Sequence, residues 1–172
     1  MWIDIEYKNL YNDGGEKGIR LRFYKGVNDE VRKSCIDFCK WLRTLYWFPM
    51  RCNIYIFSHK NFKSAAGKKC TAKFKFFNDE NECVVYNPII WVATGSYENE
   101  IKKREKKYVL FDYLGSIAHE LTHYYQWYFK EIDDENKTER SLEYMATRWK
   151  NYLLEEYWVK LYGVDENGLL KL

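Results

Sequence analysis

Two histidines four residues apart, with a glutamate directly after the first, are the residues of this sequence best suited to chemistry. They are His119, Glu120 and His123, in the run His-Glu-Leu-Thr-His. On a helix, residues four apart project from one face, so the two imidazoles can bind the same metal ion. Glu120 cannot reach that ion from the same face as an equivalent ligand, and is instead placed to take a proton from a metal-bound water.

The sequence around this motif favours a zinc site. Zinc accepts nitrogen and oxygen ligands in a tetrahedral arrangement that leaves one position open for water. The motif lies within a long apolar stretch, where burying two histidines and a glutamate is costly unless a partner compensates them. The chain has only three histidines, and two of them belong to the motif. The alternative, a helix with two surface histidines and an incidental glutamate, leaves the apolar context unexplained.

A third ligand must come from another segment, and Glu139 and Glu143 are the candidates. They lie four residues apart, on one face of a helix expected after the motif helix. Both positions let the chain end one helix, turn and run back antiparallel. We favour Glu143, because a ligand one turn into a helix is better held than one at its frayed start. Glu139 would then accept a hydrogen bond from a ligand or complement the helix dipole.

The second half of the chain is predicted to form the helices that position these residues. Residues 110–130 form a largely apolar stretch without proline, which predicts a buried helix. The acidic segment 133–137 breaks that helix. Thr138 can then cap a last helix that reaches Tyr162 and ends at Gly163. Residues 97–107 are expected to form an exposed helix.

The first half is predicted to form mainly strands. Residues 2–7 and 19–24 alternate apolar and polar side chains on either side of a turn, which predicts a hairpin-like N-terminal elaboration within residues 1–26. A helix capped by Asn28 or Asp29 follows. Further strands are expected at 52–57, 71–77, 83–86 and 89–93, with the polar segment 61–69 as a loop or ragged edge. Strands followed by helices indicate an α+β fold, with one domain over 1–172 and a small, mostly antiparallel sheet.

The cysteines and the distribution of apolar residues predict the cellular environment of the protein. Five cysteines without a Cys-x-x-Cys pair, and a start without the pattern of a signal peptide, predict reduced, mostly buried thiols and a cytoplasmic location. Cys35 and Cys39 could form a metal pair, but no second pair follows at the spacing of a zinc finger. No apolar stretch reaches the roughly 18 residues of a spanning helix, so no membrane contact is expected. Nothing in the composition indicates an oligomeric state.

Two lysine-rich segments could contact nucleic acid. Residues 102–107 are mostly basic, a pattern typical of a solvated helix face. Residues 73–76 alternate lysine with phenylalanine, which more often means a strand with one face in water and one buried. The net charge is only +3. A nucleic-acid partner is therefore not favoured, and a steep salt dependence of binding would be needed to support one.

Two segments together resemble the zincin metallopeptidases of the gluzincin type. They are Gly-Ser-Ile-Ala-His-Glu-Leu-Thr-His-Tyr-Tyr-Gln at 115–126 and Glu-Arg-Ser-Leu-Glu-Tyr-Met-Ala at 139–146. The chain looks most like the small bacterial and phage-encoded members related to ImmA/IrrE peptidases. The resemblance covers roughly residues 110 to 150. Many relatives carry an Asp or Asn about a turn after the ligand glutamate, to orient a histidine, whereas Thr147 stands here.

The resemblance implies one zinc ion per chain, held by His119, His123 and Glu143, with Glu120 as the general base. It also implies a zincin-like fold whose edge strand, 71–77 or 83–86, binds an extended peptide or protein substrate by strand addition. The expected reaction is hydrolysis of a peptide bond by a metal-activated water. The group that stabilises the oxyanion stays open among Tyr124, Tyr144, Arg148 and His59. A second hypothesis is a catalytically silent, zinc-stabilised binding or regulatory module, against which the intact Glu120 argues.

Overall fold

The computed structural model describes residues 2–5, 18–64, 67–76, 87–167 and 169–171. In this part of the chain the elements are β1 (Ile19–Phe23), α1 (Asp29–Leu45), β2 (Cys52–Phe57), β3 (Phe62–Lys63), β4 (Lys69–Cys70), β5 (Ala72–Lys75), β6 (Ile89–Ala93), α2 (Tyr97–Glu100), α3 (Lys106–Tyr128) and α4 (Glu139–Tyr162). A short 3₁₀ turn, Glu131–Asp133, lies between α3 and α4. The fold is a mixture of helices and a small sheet, as expected for the α+β class.

The main sheet is mixed, so the expectation of a mostly antiparallel sheet is wrong. Its order is β1-β2-β6-β5, in which β1 and β6 both run parallel to β2 and only β5 runs antiparallel, to β6. The physical reason is α1, which crosses over between β1 and β2, as the connection of parallel neighbours requires. The strands β3 and β4 form a separate two-stranded antiparallel pair.

The N-terminal hairpin is not found among the described residues. Most of its turn and the end of its first strand, 6–17, lie outside them. The described start pairs elsewhere, since Asp4 forms an isolated antiparallel bridge with Tyr46. The expected strand 83–86 also lies outside the described residues, while the strands at 52–57 and 89–93 are confirmed.

The core lies between the sheet and the helices α1 and α3. The inward residues of the central strands and of both helices are fully or almost fully buried; they include Ile54, Ile56, Ile90, Val92, Cys35, Phe38, Leu42, Leu114, Ile117 and Leu121. Burial of an aliphatic or aromatic side chain of this size contributes about 1.5–3 kcal/mol. The other side of α3 is covered by α4. The motif helix is therefore packed from both sides, and the site on it has a fixed backbone.

The helix boundaries follow local signals in the sequence. Asn28 caps α1 by accepting a hydrogen bond from the backbone N–H of Glu30, at 2.8 Å. The expected helix at 97–107 is replaced by the short α2, a turn and the first residues of α3. Arg104 pairs there with Glu100 and Asp112. The basic run is thus engaged in local ion pairs, as a solvated surface would be.

The cysteines behave as buried thiols. Cys35, Cys39 and Cys52 are buried, and Cys70 is half-buried. Burial raises the pKa of the Cys35 thiol to about 12, which keeps it protonated and unreactive at neutral pH. Cys83 lies outside the described residues. Among the described helices, none is both long and apolar enough to span a membrane.

Candidate metal centre

The two motif histidines present their Nε2 atoms to one point. Both lie on α3, one turn apart, and their Nε2 atoms are 3.2 Å from each other. Their side chains are largely buried, with exposed fractions of 20% for His119 and 16% for His123. Burial lowers the pKa of His119, and the charges of His123 and Lys150 lower it further, against the raising effect of Glu143. His119 is therefore biased toward the neutral form, which is the form that binds a metal.

The helix α4 brings Glu143 to the same point. Its carboxylate oxygens lie 3.2 Å from His119 Nε2 and 3.2 Å from His123 Nε2. Glu139, the other candidate, is one turn earlier and does not belong to this group, although it lines the neighbouring part of the cleft. The geometry therefore favours Glu143 as the third ligand.

The reversal of the chain between α3 and α4 sets this position. After α3 ends, Lys130 adopts the left-handed conformation with φ 57°, which is common directly after a helix. Thr138 then caps α4, since its side chain accepts a hydrogen bond from the backbone N–H of Ser141 at 3.2 Å. The hydroxyl of Ser141 accepts in return from the Thr138 backbone, at 3.1 Å. Glu143 stands just beyond this capping box, in the first ordered turns of the helix.

The three side chains have the chemistry and spacing of a metal site. One ligand atom from each of His119, His123 and Glu143 can be chosen so that all lie within 4.8 Å of one another. In a tetrahedral zinc site with bonds of about 2.0–2.1 Å, neighbouring ligand atoms lie about 3.3 Å apart. Two neutral imidazole nitrogens and a carboxylate at this spacing are all acceptors, and a cation between them satisfies all three. The group can therefore hold a metal ion.

Gln126 determines which nitrogen of His123 faces this point. Its Oε1 lies 2.7 Å from His123 Nδ1, and its Nε2 donates to the backbone carbonyl of Leu142 on α4, at 3.0 Å. Because the amide nitrogen is used by Leu142, the amide oxygen faces the histidine, so Nδ1 carries the proton and Nε2 keeps its lone pair. The sequence alone did not identify this orienting group. The position of Gln126 one turn after His123 was the signal that could have identified it.

Glu120 lies beside the three ligands and is almost fully buried. Its side chain is 8% exposed. Burial raises the pKa of the carboxyl to about 8, with a hydrogen bond from the backbone of Phe74 acting in the opposite direction and the charge of Glu143 adding to the rise. A divalent cation at the ligands would favour the carboxylate form. This position suits a group that exchanges a proton with a molecule in the cleft.

The strand β5 borders the cleft with an edge whose backbone groups point outward. It is the last strand of the sheet in the described part of the chain. Thr71 accepts a hydrogen bond from Ala93 of β6 at 2.8 Å, and pairing alternates along an antiparallel strand. Ala72 and Phe74 therefore direct their N–H and C=O groups away from β6, and the Phe74 N–H reaches Glu120. Of the two segments expected to form the edge, 71–77 is found as a strand at 72–75, while residue 77 and the segment 83–86 lie outside the described residues.

The cleft extends to both sides of the three ligands. The side near His119 has a volume of about 730 Å³, and the side near His123 about 490 Å³; both include Glu120. Among the expected oxyanion groups, the Tyr124 hydroxyl is bound to the backbone of Met50, at 2.9 Å from both N and O. The ring of His59 stacks on Phe57. Neither of these two residues lines either side of the cleft.

Tyr144 and Arg148, the other two oxyanion candidates, lie on α4 with exposed side chains. Neither lines the described cleft. Lys150, on the same helix, does line it near His119, although its position in the sequence did not indicate this. A lysine therefore lines the cleft near His119, and the sequence motif offered no signal for it.

Comparisons of the chain with protein-family models, with curated proteins and with solved structures found no significant match. The geometry and chemistry of His119, Glu120, His123 and Glu143 are therefore what indicates the function of this protein.

Proposed function

We propose that this protein is a zinc-dependent metallopeptidase of the zincin type, similar to gluzincins. The observation that carries the proposal is the convergence of His119, His123 and Glu143 next to a buried carboxyl, Glu120, in a cleft bordered by a strand edge. Two histidines and a carboxylate also suit iron, but a neighbouring buried acid or base is what metal-assisted hydrolysis requires. Zinc is therefore the metal proposed.

Different residues of the chain would have different roles in peptide hydrolysis. Zinc, when bound, would polarise the carbonyl of the substrate and acidify a water molecule. Glu120 would take the proton of that water and transfer it to the nitrogen of the leaving amine. Gln126 holds His123 in the tautomer that binds the metal. The backbone groups of Ala72 and the carbonyl of Phe74, which are directed away from β6, would pair with an extended peptide and align its scissile bond.

A Glu120→Gln variant tests this proposal. The glutamine keeps the size of the side chain but cannot accept and return a proton, so we expect cleavage to fall by about 10²–10⁴-fold. The measurement is cleavage of a broad peptide library, followed by mass spectrometry, with wild type and variant carrying equal amounts of zinc. Glu139→Gln is the matched control, because it removes a carboxylate from the same cleft without removing the proposed base.

Equal cleavage by fully loaded wild type and Glu120→Gln would contradict the proposed mechanism. If zinc binds but no peptide in the library is cleaved, the alternative of a silent, zinc-stabilised binding or regulatory module is favoured instead.

A further inference from the structure

The side of the cleft near His119 is lined by three lysines. They are Lys60, which follows β2, Lys69 of β4 and Lys150 of α4. None of them forms an ion pair with another residue in the described ranges. Apart from Glu120, the acidic residue of this lining is Asp112, whose carboxylate is bound by Arg104. This side of the cleft therefore carries an excess of positive charge next to the metal site.

Lys150 is the best positioned of the three. It lies seven residues after Glu143, about two turns along α4, and so projects from a similar face of that helix. Its stem packs over Gly115 of α3, where an added Cβ would lie 3.4 Å from Lys150 Cδ and 3.0 Å from Leu154 Cδ1. The stem is thus held between the two helices, and the side chain also lines the cleft, the usual arrangement of a half-buried lysine.

The opposite side of the cleft is more apolar. It is lined by the apolar side chains of Phe74, Ile132 and Leu142, together with Glu139. Lys73 also borders it, with its ammonium donating to the backbone carbonyl of Lys63. The charges of Lys73 and Glu139 offset each other there, so a carboxylate would be attracted more strongly to the side with the three lysines.

The direction of β5 determines which end of a bound peptide would lie on each side of the cleft. Thr71 lines only the side with the three lysines, Ala72 lines both sides, and Lys73 and Phe74 line only the apolar side. Among the described residues no strand pairs with the edge of β5 that faces away from β6. A peptide added to this edge in the antiparallel sense, the commoner and slightly more stable pairing, runs from the apolar side to the lysine side. Residues on the C-terminal side of the scissile bond would then meet the lysines.

We infer that the substrate carries a carboxylate on the C-terminal side of the scissile bond, held by Lys150 with Lys60 and Lys69, and an apolar residue on the N-terminal side. This inference rests on the peptidase function proposed above. The carboxylate is either the side chain of an aspartate or glutamate or the free C-terminus of a short peptide, since both present the same group to the lysines.

The test is the binding of matched peptides to the zinc-loaded Glu120→Gln variant, which separates binding from turnover. The probes are short acetylated peptides with phenylalanine followed by glutamate, glutamine or lysine, each with an amidated end. A further glutamine peptide has a free carboxyl end. Affinities are measured by isothermal titration calorimetry. We expect at least one of the two carboxylate peptides to bind about five- to tenfold more tightly than the neutral glutamine peptide, and the lysine peptide to bind more weakly.

Substitution of the lysines should remove this preference. With Lys150→Gln, or with Lys60→Gln and Lys69→Gln together, each added to Glu120→Gln, we expect carboxylate and neutral peptides to bind within about twofold of each other. Lys40→Gln, which removes an exposed lysine of α1 outside the cleft, should leave the preference unchanged. Zinc content is measured for every variant, so that a loss of metal is not mistaken for a loss of selectivity.

The outcomes distinguish this inference from the proposed function. A preference for the glutamate side chain, for the free end or for both supports the inference and identifies the source of the carboxylate. Equal affinities for charged and neutral peptides, no measurable binding of any of them, or a preference that survives the lysine substitutions would overturn it. Failure of the wild type to cleave any peptide while the carboxylate preference persists would contradict the peptidase function but not the selectivity.

Discussion

At the scale of single residues, the contact between Gln126 and His123 decides how the candidate centre is organised. Gln126 joins a histidine of α3 to the Leu142 carbonyl of α4, so it both selects the tautomer and connects the two ligand helices. Partners of this kind commonly raise metal affinity, because a ligand that is already oriented loses less freedom when the metal binds.

Replacement of Gln126 by methionine should weaken zinc binding by about 10–100-fold, because His123 Nδ1–H would lose its acceptor. The affinity is measured by competition with a chromophoric chelator. Gln126→Glu keeps an acceptor at the same distance and should retain most of the affinity. An unchanged affinity in the methionine variant would show that the tautomer of His123 is set by something else.

Site residues could be predicted from the sequence where side chains able to bind a metal stand at the spacing of one helix face. That His119 and His123 face one point follows from their spacing on a helix. That Glu143 can join them follows from a turn and a second helix that runs back antiparallel. The Phe74 amide could not be predicted, because a backbone contact to Glu120 depends on the position of β5 relative to α3. Lys150 was missed for a similar reason, since its position depends on the close approach of the helices at Gly115.

At the scale of elements, the start of α4 determines whether Glu143 reaches the histidines. The capping box formed by Thr138 and Ser141 satisfies backbone groups that the first turn of a helix leaves unpaired. The glutamate lies directly after this box. A frayed start of α4 would therefore move the third ligand.

Thr138→Ala should lower the free energy of unfolding by about 1 kcal/mol, the usual cost of removing a capping side chain. Urea denaturation of the metal-free protein measures the change. Arg140→Ala, an exposed substitution in the same turn, is the control and should cost less than about 0.5 kcal/mol. Equal stability losses for the two variants would mean that the cap does not stabilise α4.

Elements with their own start and stop signals were predictable. A capping residue, a periodic apolar face and a terminating glycine together predicted the bounds of α4, Glu139–Tyr162. Strand pairing was not predictable, because alternation shows that a strand has two faces but not which neighbour it has or in which direction. The parallel pairing of β1 with β2 depends on the crossover by α1, and this produced the mistaken antiparallel sheet.

At the scale of the whole molecule, the N-terminus is tied to the motif helix. Trp2 is 4% exposed, and its indole N–H donates to Thr122 Oγ1 at 3.1 Å, within the motif itself. Its ring also packs edge-on against Tyr46. A contact between residues so far apart in the sequence helps to hold the motif helix in place, and no local pattern could have predicted it.

Trp2→Ala should destabilise the protein by about 3–5 kcal/mol, since it removes a large buried ring and leaves a cavity against α3. Chemical denaturation, monitored by circular dichroism, measures the loss. Tyr144→Ala, which truncates a side chain that is 66% exposed, should change stability by less than about 0.5 kcal/mol. A cost below about 1 kcal/mol for Trp2→Ala would show that the N-terminal segment does not support the site.

The proposed function requires that the protein holds a metal ion at this centre. Elemental analysis of protein purified without added metal tests this requirement directly. We expect about one zinc per chain in the wild type, because the described residues offer one set of three protein ligands, and its loss in both His123→Ala and Glu143→Ala. Glu139→Ala should keep the metal. A wild type that holds no zinc even after reconstitution, or a Glu143→Ala variant that retains it while Glu139→Ala loses it, would contradict the proposed centre.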